Sequence, residues 1–448
     1  MNFKTTIILA LVFAVGVVAV VLLNKQESNK EEQEKIAGKL LSLEKEQVKE
    51  IVLEPSGIHL VKDSTEWKII EPVKTDGDKS SIDAIATMFN WAKVERVVSS
   101  DPAEFATFGL APEKGKLILI HDSGTDTLFL GDDNPTGSYV FARKSGSNDI
   151  FLTTTSLKTN IEKKLFDLRN KKILDFEKSQ VRSFEFKNRK QTYAVEKSGE
   201  EWLLTQPIHD RADKSAVDKL LNRLNSERAK EFVEEEPKDL SRYGLQRPGY
   251  KIDLLLGLNK AKKSLLIGSQ NENQFYAQDE SKSPVFLVDS SLVKEFDVSL
   301  FDMRNKDLTD FLSTDVNKFE LTFTDTTLRC EKDTSGTWMI LEPMNVKAKS
   351  WKISSITSAV NRLKVKEFVS DAPASLKIYG LDKPAVTGRF YKDGEMLVEI
   401  SVGAKSGEDD VFVKLADRDN VYAVGADVLE KLLPNVKDLS DSPVVENQ

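Results

Sequence analysis

Apolar and polar residues alternate along several short segments of the chain, each bounded by turn-forming residues. Val48–Leu53 and Ile58–Val61 form one pair of such segments, and Val181–Phe186 and Thr192–Val195 form another. Alternation with a period of two places every other side chain on one face of a strand, so these pairs predict half-buried antiparallel hairpins. In each case the pattern continues through a turn to a tryptophan and halts near a proline, which cannot donate to a β-ladder.

An amphipathic helix is predicted after each of these strand groups. Asp78 or Ser80, and Asp213 or Ser215, are the candidate N-cap residues of the first two helices. Apolar residues recur at helical spacing, so that each helix buries one face. The apolar positions are Ile82, Ile85 and Phe89, then Val217, Leu220, Leu221 and Leu224, then Ile353, Ile356, Val360 and Leu363.

A second helix is predicted from Asp101 as N-cap to Gly109, where the chain needs a left-handed conformation. Leu110 then folds back on the last turn, and Pro112 prevents the helix from continuing. Four short apolar-rich segments follow, at 116–120, 127–130, 139–142 and 149–152. With turns at Ser123-Gly124 and Ser145-Gly146, they predict an antiparallel meander, closed by a helix from about 156 to 168.

The same strings recur at offsets close to 135 residues, which indicates internal repetition. Strands and helices are segregated within each copy, so the predicted fold class is α+β, with an antiparallel sheet in each repeat. The predicted boundaries are 39–172, 173–307 and 308–441, with a tail at 442–448. The recurring strings are Trp67–Pro72, Trp202–Pro207 and Trp338–Pro343; Phe108–Leu110, Tyr243–Leu245 and Tyr379–Leu381; Leu130-Gly131, Ile267-Gly268 and Val402-Gly403; Phe151, Phe286 and Tyr422; and Leu165–Lys171 and Leu300–Lys306, echoed loosely by Leu433–Lys437.

The N-terminal pattern differs from that of the repeats, because residues 5–23 are uncharged and almost wholly apolar. As a helix this run would extend about 28 Å, close to the thickness of the hydrocarbon core of a bilayer. It predicts a transmembrane anchor between a cytoplasmic tip at 1–4 and a charged stalk at 24–38. A cleavable signal peptide is the alternative, but the small-x-small triplet Ala14-Val15-Gly16 lies in the middle of the run.

The anchor determines the expected location of the rest of the chain. Lys4 and the terminal ammonium favour a cytoplasmic N-terminus, although Lys25 on the far side weakens the charge asymmetry. The expectation is a single-pass protein of the cell inner membrane whose C-terminal body is extracytoplasmic, in the periplasm.

Composition excludes several classes of protein. The chain of 448 residues carries 64 Lys and Arg against 72 Asp and Glu, a net charge of −8, so it has no global positive field for nucleic acid. A single cysteine, Cys330, excludes an internal disulfide framework, a zinc site that needs several cysteines and a multi-cysteine iron–sulfur cluster. No cofactor or metal site is therefore predicted.

Few residues offer catalytic chemistry, and none recurs among the copies. His59 and His121 fall in predicted strands and His209 follows Pro207, so ordinary structural or surface roles are expected for them. Cys330 lies in an alternating segment with no histidine nearby, which favours a structural thiol over a nucleophile. No catalytic residue is predicted.

Three further groups have a functional and a structural interpretation. Asp76, Asp78 and Asp83 suggest a calcium loop, but their spacing lacks the EF-hand pattern and a helix start explains them better. The basic string 169–172 could contact a lipid headgroup or an acidic partner, although cations at a helix C-terminus are favoured by the helix dipole. The repeated tryptophans could form sugar-stacking platforms, but without recurring polar groups beside them core packing is expected. These tryptophans are Trp67, Trp202 and Trp338.

The recurring Trp-x4-Pro, aromatic-Gly-Leu, aliphatic-Gly and Leu/Met-Arg-Asn-Lys motifs together resemble bacterial domain-of-unknown-function family 4340, over about residues 39–441. The resemblance implies a membrane-anchored extracytoplasmic protein, often encoded beside ABC transporter components of the gliding-motility type, and it carries no catalytic residue. The third copy lacks the closing Arg-Asn-Lys and the first has one residue fewer before Pro112.

The predicted function is that of a non-enzymatic accessory or scaffold protein of an ABC-type transport or export assembly, with inner-membrane transporter components as partners. A cell-envelope glycan or polymer binder is the alternative, and it requires exposed tryptophans. A hydrolase is the second alternative, and it requires paired carboxylates in a cleft or a nucleophile in contact with a base.

Overall fold

The structure of the protein is a computed structural model that describes residues 40, 43–88, 92–323 and 326–441. The predicted cytoplasmic tip, anchor, stalk and tail, at 1–4, 5–23, 24–38 and 442–448, lie outside the described residues, and so does Phe89. Among the residues that are described, no helix is long and apolar enough to cross a membrane.

Strands account for most of the regular structure in each repeat, and the predicted alternating segments of repeats 1 and 2 are all strands. Repeat 1 contains β1 Val48–Glu54, β2 Ile58–Asp63, β3 Glu66–Glu71, β4 Thr75–Asp76, β5 Arg96–Ser99, β6 Gly115–His121, β7 Gly124–Asp133, β8 Tyr139–Lys144 and β9 Ile150–Thr154. Repeat 2 contains β10 Val181–Lys187, β11 Thr192–Ser198, β12 Glu201–Gln206, β13 Asp210–Arg211, β14 Glu231–Glu234, β15 Tyr250–Leu256, β16 Ala261–Asn271, β17 Gln274–Asp279 and β18 Val285–Asp289. Repeat 3 contains β19 Lys318–Thr322, β20 Thr327–Lys332, β21 Trp338–Glu342, β22 Val346–Lys347, β23 Glu367–Ser370, β24 Val386–Lys392, β25 Glu395–Lys405, β26 Asp410–Leu415 and β27 Val421–Gly425.

One strand order describes the sheets of all three repeats. The first sheet runs β4-β3-β2-β1-β6-β7-β8-β9-β5, and the third runs β22-β21-β20-β19-β24-β25-β26-β27-β23. The second runs β13-β12-β11-β10-β15-β16-β17-β18-β14. Neighbouring strands pair antiparallel, as in β1 with β6, β10 with β15 and β19 with β24. The chain therefore contains three antiparallel sheets with a few helices, an α+β fold repeated three times.

Short helices cover one face of each sheet. The predicted N-caps are confirmed for the first two amphipathic helices, since Asp78 accepts a hydrogen bond from the Ser81 amide and Asp213 from the Ala216 amide. The third helix begins after Lys349, which makes no side-chain cap bond. The helices are α1 Lys79–Thr87, α2 Thr155–Ile161, α3 Leu165–Leu168, α4 Lys214–Ser226, α5 Ser290–Glu295, α6 Leu300–Met303, α7 Ser350–Asn361, α8 Asp427–Leu432 and α9 Val436–Leu439.

Helix and sheet enclose a hydrophobic core in each repeat. The predicted apolar helix positions that are described are buried, for example Ile82 and Ile85 in α1 and Ile353 and Ile356 in α7. Alternate residues of the strands complete each core, as in β15, where buried and half-buried residues alternate along the whole strand. The period-two and period-3.6 patterns therefore identified the buried faces correctly.

Two sequence-based helix assignments were wrong in detail. The closing helix predicted from about 156 to 168 is two short helices, α2 and α3, because the backbone leaves helical geometry at Lys164, the N-cap of α3. The helix predicted after Asp101 is a single 3-10 turn, Pro102–Glu104, although the cap on Asp101 and the left-handed Gly109 are as expected. The short edge strands β4 and β5 were not predicted.

By packing, the chain divides into two compact bodies. Among the described residues, the first comprises those up to 172 together with 228–233, and the second comprises 173–227 together with those from 234 to 441. Residues 228–233 belong to repeat 2 in the sequence, yet they pack within the first body. The second body contains the rest of repeat 2 and all of repeat 3.

Candidate functional site

The histidines do not converge on a common site. His59 Nε2 lies 2.7 Å from Glu50 Oε2 and His121 Nε2 lies 3.1 Å from Asp126 Oδ2, both across neighbouring strands. His209 is exposed beyond Pro207. Each histidine thus occupies the strand or turn position that its sequence predicts.

In the part of the chain that is described, no three His, Cys, Asp or Glu side chains are arranged to hold a metal ion.

Cys330 is buried in the core of repeat 3, on β20. Burial without a compensating cation raises the pKa of its thiol to about 12, because the thiolate would lose its hydration in the apolar core. A thiol in this setting cannot act as a nucleophile at neutral pH.

The burial of Cys330 makes it a reporter of unfolding. We expect Ellman's reagent to leave the native protein unmodified at pH 8 and to modify one thiol per chain after denaturation in guanidinium. The reaction is followed by absorbance of the released thiol. Rapid modification of the native protein would contradict the buried position.

The aspartates near the start of α1 are used for structure rather than for calcium. Asp78 caps α1, and Asp76 Oδ1 accepts from Lys68 Nζ at 2.6 Å. Asp83 Oδ1 accepts from the indole Nε1 of Trp67 at 2.8 Å. Each carboxylate has its own protein partner, as the helix-start interpretation requires.

The three repeated tryptophans lie in the cores. Their exposed fractions are 1% for Trp67, 5% for Trp202 and 6% for Trp338. In repeat 3 the indole packs against Phe319, with ring centroids 5.7 Å apart. None of the three can present a face to a sugar ring.

The basic string 169–172 has a role that neither of its sequence interpretations anticipated. Arg169 is 2% exposed, so it cannot contact lipid headgroups, nor is it a solvated helix-end cation. Its guanidinium carbon lies 3.3 Å from the ring centroid of Phe232, and Phe166 packs on the same ring at 6.3 Å. Phe232 belongs to 228–233, the segment of repeat 2 that packs within the first body.

The equivalent arginine of repeat 2 makes the same contact with repeat 3. Arg304 is 3% exposed and lies 3.6 Å from the ring centroid of Phe368, on which Phe301 also packs at 5.8 Å. Its Nε donates to Asp210 Oδ2 and its Nη2 to Asp371 Oδ1, each at 2.6 Å. In this arrangement an arginine and a phenylalanine from the end of one repeat pack on a phenylalanine of the next repeat. We call it the arginine joint.

The positions equivalent to the joint are different at the two ends of the array. In repeat 3 the β-bridge between Ala348 and Ser440 is the equivalent of the β-bridge between Ala212 and Arg304 in repeat 2. The positions of Phe301 and Arg304 are therefore occupied by Lys437 and Ser440 in repeat 3. In repeat 1 the strand position of Phe232 is Val97, which is 49% exposed. The joint residues therefore occur where one repeat is followed by another, as in other repeat proteins whose terminal copies are atypical.

A groove of about 1010 Å³ lies on the outer face of the repeat 2 sheet, between the loop after β14 and the ends of β15 to β17. Leu240, Leu245 and Leu266 form its apolar floor, and Gln278 lies among them, 7% exposed. Charged residues of both signs form its rim: Glu236, Lys238, Lys251, Glu280 and Lys282. We call this the repeat 2 groove. Only the general motif around it, aromatic-Gly-Leu, was visible in the sequence.

A family model described as "Domain of unknown function (DUF4340)" matches residues 67–210, 202–339 and 338–448. The three matches begin at the repeated tryptophans. No curated protein matches the chain.

Two solved structures of Pseudomonas aeruginosa proteins have low similarity to the chain. One is the DNA polymerase III subunit beta, with 8% identity and a TM-score of 0.13, covering 69% of this chain and 82% of that one. The other is a DNA polymerase sliding clamp with ligand, with 7% identity and a TM-score of 0.14, covering 88% and 94%. Scores this low support no inference about fold or function. The three consecutive family matches extend from residue 67 to residue 448, and the chain therefore belongs to the DUF4340 family as a tandem array of three copies.

Proposed function

We propose that the protein is a non-enzymatic, membrane-anchored accessory or scaffold protein of an ABC-type transport or export assembly. In this proposal residues 5–23 span the inner membrane once and hold the three repeats in the periplasm. The partners are the inner-membrane transporter components, and the repeats provide a preformed surface beside them.

The observation that carries the proposal is that the recurring tryptophans and arginines have structural roles. The recurring tryptophans lie in the cores, and the recurring arginines of the first two repeats form the joints. Residues that recur for packing and for joints give each repeat a fixed shape. A preformed surface of this kind suits a protein that holds other proteins.

The two alternatives have less support. The glycan-binding alternative required Trp67, Trp202 and Trp338 on an exposed face, and they are buried. The hydrolase alternative needs carboxylates free to act on a substrate. Asp210 and Asp371 converge on one guanidinium, and Arg304 holds both of them within the joint.

The proposal is tested by purifying the protein with a C-terminal affinity tag from solubilised membranes and identifying the recovered proteins by mass spectrometry. Reproducible recovery of ABC transporter subunits is the expected result. Their absence, together with retention of polysaccharide, would replace the scaffold with the glycan binder.

A variant in which residues 5–23 are replaced by a cleavable signal sequence is the matched control. An accessory that acts beside a transporter should lose its function, measured as export activity in cells, when it is released from the membrane. Full activity of the released protein would exclude the anchored role.

A further inference from the structure

Arg143 carries a positive charge that has no counterion in the part of the chain that is described. It lies on β8, on the outer face of the repeat 1 sheet, since its neighbour Ala142 points into the core. Its guanidinium carbon lies 3.8 Å from the ring centroid of Phe129 and 4.7 Å from that of Phe105. The guanidinium makes no hydrogen bond or ion pair with a described residue, and its Nε is buried without an acceptor. Partial desolvation of a cation is costly unless an acceptor completes its hydrogen bonds.

The equivalent residues of the other two repeats find acceptors within their own chain. Cross-strand pairing identifies the equivalents, because Phe129, Leu266 and Ser401 are paired with Arg143, Gln278 and Lys414. Gln278 Nε2 donates to the Ser283 carbonyl at 2.8 Å, and Lys414 Nζ donates to the Arg418 carbonyl. Both carbonyls belong to the loop that follows the strand. The corresponding loop of repeat 1, residues 145–149, gives Arg143 no acceptor, so this position is unsatisfied in repeat 1 alone.

The arginine joint shows what an arginine packed on a ring binds elsewhere in this chain. Arg304 lies 3.6 Å from the ring centroid of Phe368, and its guanidinium holds the carboxylates of Asp210 and Asp371. A ring against a guanidinium fixes the orientation of its planar fork, which matches the geometry of a carboxylate. Arg143 has the ring contacts of the joint arginine without its carboxylates.

The charges around Arg143 match a single carboxylate. Lys144, the next residue, has its Nζ 3.2 Å from Asp126 Oδ1, and Lys116 on β6 has its Nζ 2.6 Å from Glu54 Oε2. Both lysines have counterions of their own, so one positive charge is left uncompensated. A nucleic acid or an anionic membrane is bound by clusters of free cations, and one arginine does not provide such a cluster. One carboxylate matches both the charge and the planar fork.

We propose that Arg143, with Phe105 and Phe129 beside it, binds an acidic side chain of a partner protein, and we call these three residues the Arg143 site. The proposal rests on the scaffold role proposed above. Of the three guanidinium nitrogens only Nε is buried, so Nη1 and Nη2 are open to the partner's carboxylate. The methylene groups of the acidic side chain lie against the two rings. Because the rings hold the guanidinium in place beforehand, little side-chain entropy is lost on binding.

The test uses the full chain in lipid nanodiscs with ring-labelled phenylalanine, titrated with the peptide Ac-Gly-Glu-Gly-NH₂ and followed by NMR. Saturable shifts of the Phe105 and Phe129 signals are expected at about 10 to 100 mM peptide, the range for one charge-assisted hydrogen bond. Ac-Gly-Gln-Gly-NH₂ and inorganic phosphate, at matched ionic strength, should shift these signals roughly fivefold less. An equal response to the glutamine peptide, or stronger binding of phosphate or of the chain-end carboxylate of Ac-Gly-Gly-Gly-OH, would overturn the proposal.

Repeat 2 supplies the design of the matched variant. Arg143→Gln introduces the residue that repeat 2 has at this position, so the fold should tolerate it, and the response to the glutamate peptide should be lost. Arg143→Lys should weaken binding about threefold, because an ammonium keeps the charge but has no planar fork. Arg242→Gln, at an exposed arginine of repeat 2, should leave binding unchanged. A response that survives Arg143→Gln would show that the peptide binds elsewhere.

The outcome is separable from that of the proposed function. Recovery of transporter subunits without a glutamate-specific response would leave the scaffold role standing and overturn only the Arg143 site. A glutamate-specific response without recovered subunits would support the site and contradict the transporter assembly. Where both hold, Arg143→Gln should lower the recovery of subunits in the affinity purification at least about threefold, as expected for one lost charge-assisted bond. Unchanged recovery would show that the partner does not use the site.

Discussion

Replacing Arg304 by alanine is expected to lower the local stability of the joint between repeats 2 and 3 by about 3 kcal/mol. The substitution deletes a side chain that is 3% exposed and leaves a cavity beside Phe368, which is the larger part of the cost. The substitution further removes the cation paired with Asp210 and Asp371, whose side chains are 24% and 48% exposed. It also removes the cation from the Phe368 ring.

The measurement is hydrogen exchange by mass spectrometry on β23 and on α6. A loss of this size should raise exchange of protected amides in those segments roughly a hundredfold, while the core of repeat 1 keeps its rate. Arg304→Lys should recover less than half of the loss, because an ammonium cannot bond two carboxylates in a fixed fork.

Arg242→Ala is the matched control for this prediction. Its side chain is 65% exposed and lies 3.8 Å from Glu234 Oε2, so its removal should change stability by no more than about 0.5 kcal/mol. If Arg304→Ala behaved like Arg242→Ala, the joint would be an incidental contact and the structural account of the closing motif would fail.

The contacts of the arginine joint could not be predicted from the sequence. The closing string Leu-Phe-Asp-Leu/Met-Arg-Asn-Lys was recognised as recurrent, and its absence from repeat 3 was noticed. The structural role of this string depends on Phe232 and Phe368, which lie more than 60 residues further along the chain. No local periodicity connects an arginine with a ring at that separation, so the string was interpreted as a helix end.

The sequence correctly predicted those features that depend on residues close together in the chain. Asp78 and Asp213 cap helices because a short acidic side chain bonds to the free amides of the first turn, and that pattern is contained in four residues. The longer strands of each sheet follow from alternation for the same reason, whereas the short edge strands β4 and β5 do not. The order of strands within a sheet, with β5, β14 and β23 far from their sequence neighbours, depends on non-local packing and was not predicted.

The Arg143 site depends on a comparison that the sequence alone did not suggest. Phe129, Leu266 and Ser401 follow from the repeat arithmetic as equivalents, but their side chains differ and no prediction was made from the difference. Only the cross-strand pairs with Arg143, Gln278 and Lys414 show that the variation changes one site on the outer face.

The second large effect is expected at the recurring aliphatic-Gly motif. Gly268 lies on β16 against the aromatic-Gly-Leu loop, and an added Cβ would come within 3.0 Å of the Tyr243 carbonyl oxygen. Gly131 and Gly403 are equally close to the carbonyls of Phe108 and Tyr379. The two motifs therefore recur together because one packs on the other.

Gly268→Ala should thus lower the stability of repeat 2 by about 3 kcal/mol, at the upper end of the cost of overpacking, because the obstacle is backbone and cannot rotate away. Hydrogen exchange should rise in 240–246 and in β16. Gly249→Ala is the control in the same repeat, since its added Cβ would meet nothing within 4 Å, and it should cost no stability. A Gly268→Ala variant as stable as Gly249→Ala would mean that the loop can move off the strand without loss, and the close approach would then not explain why both glycines recur.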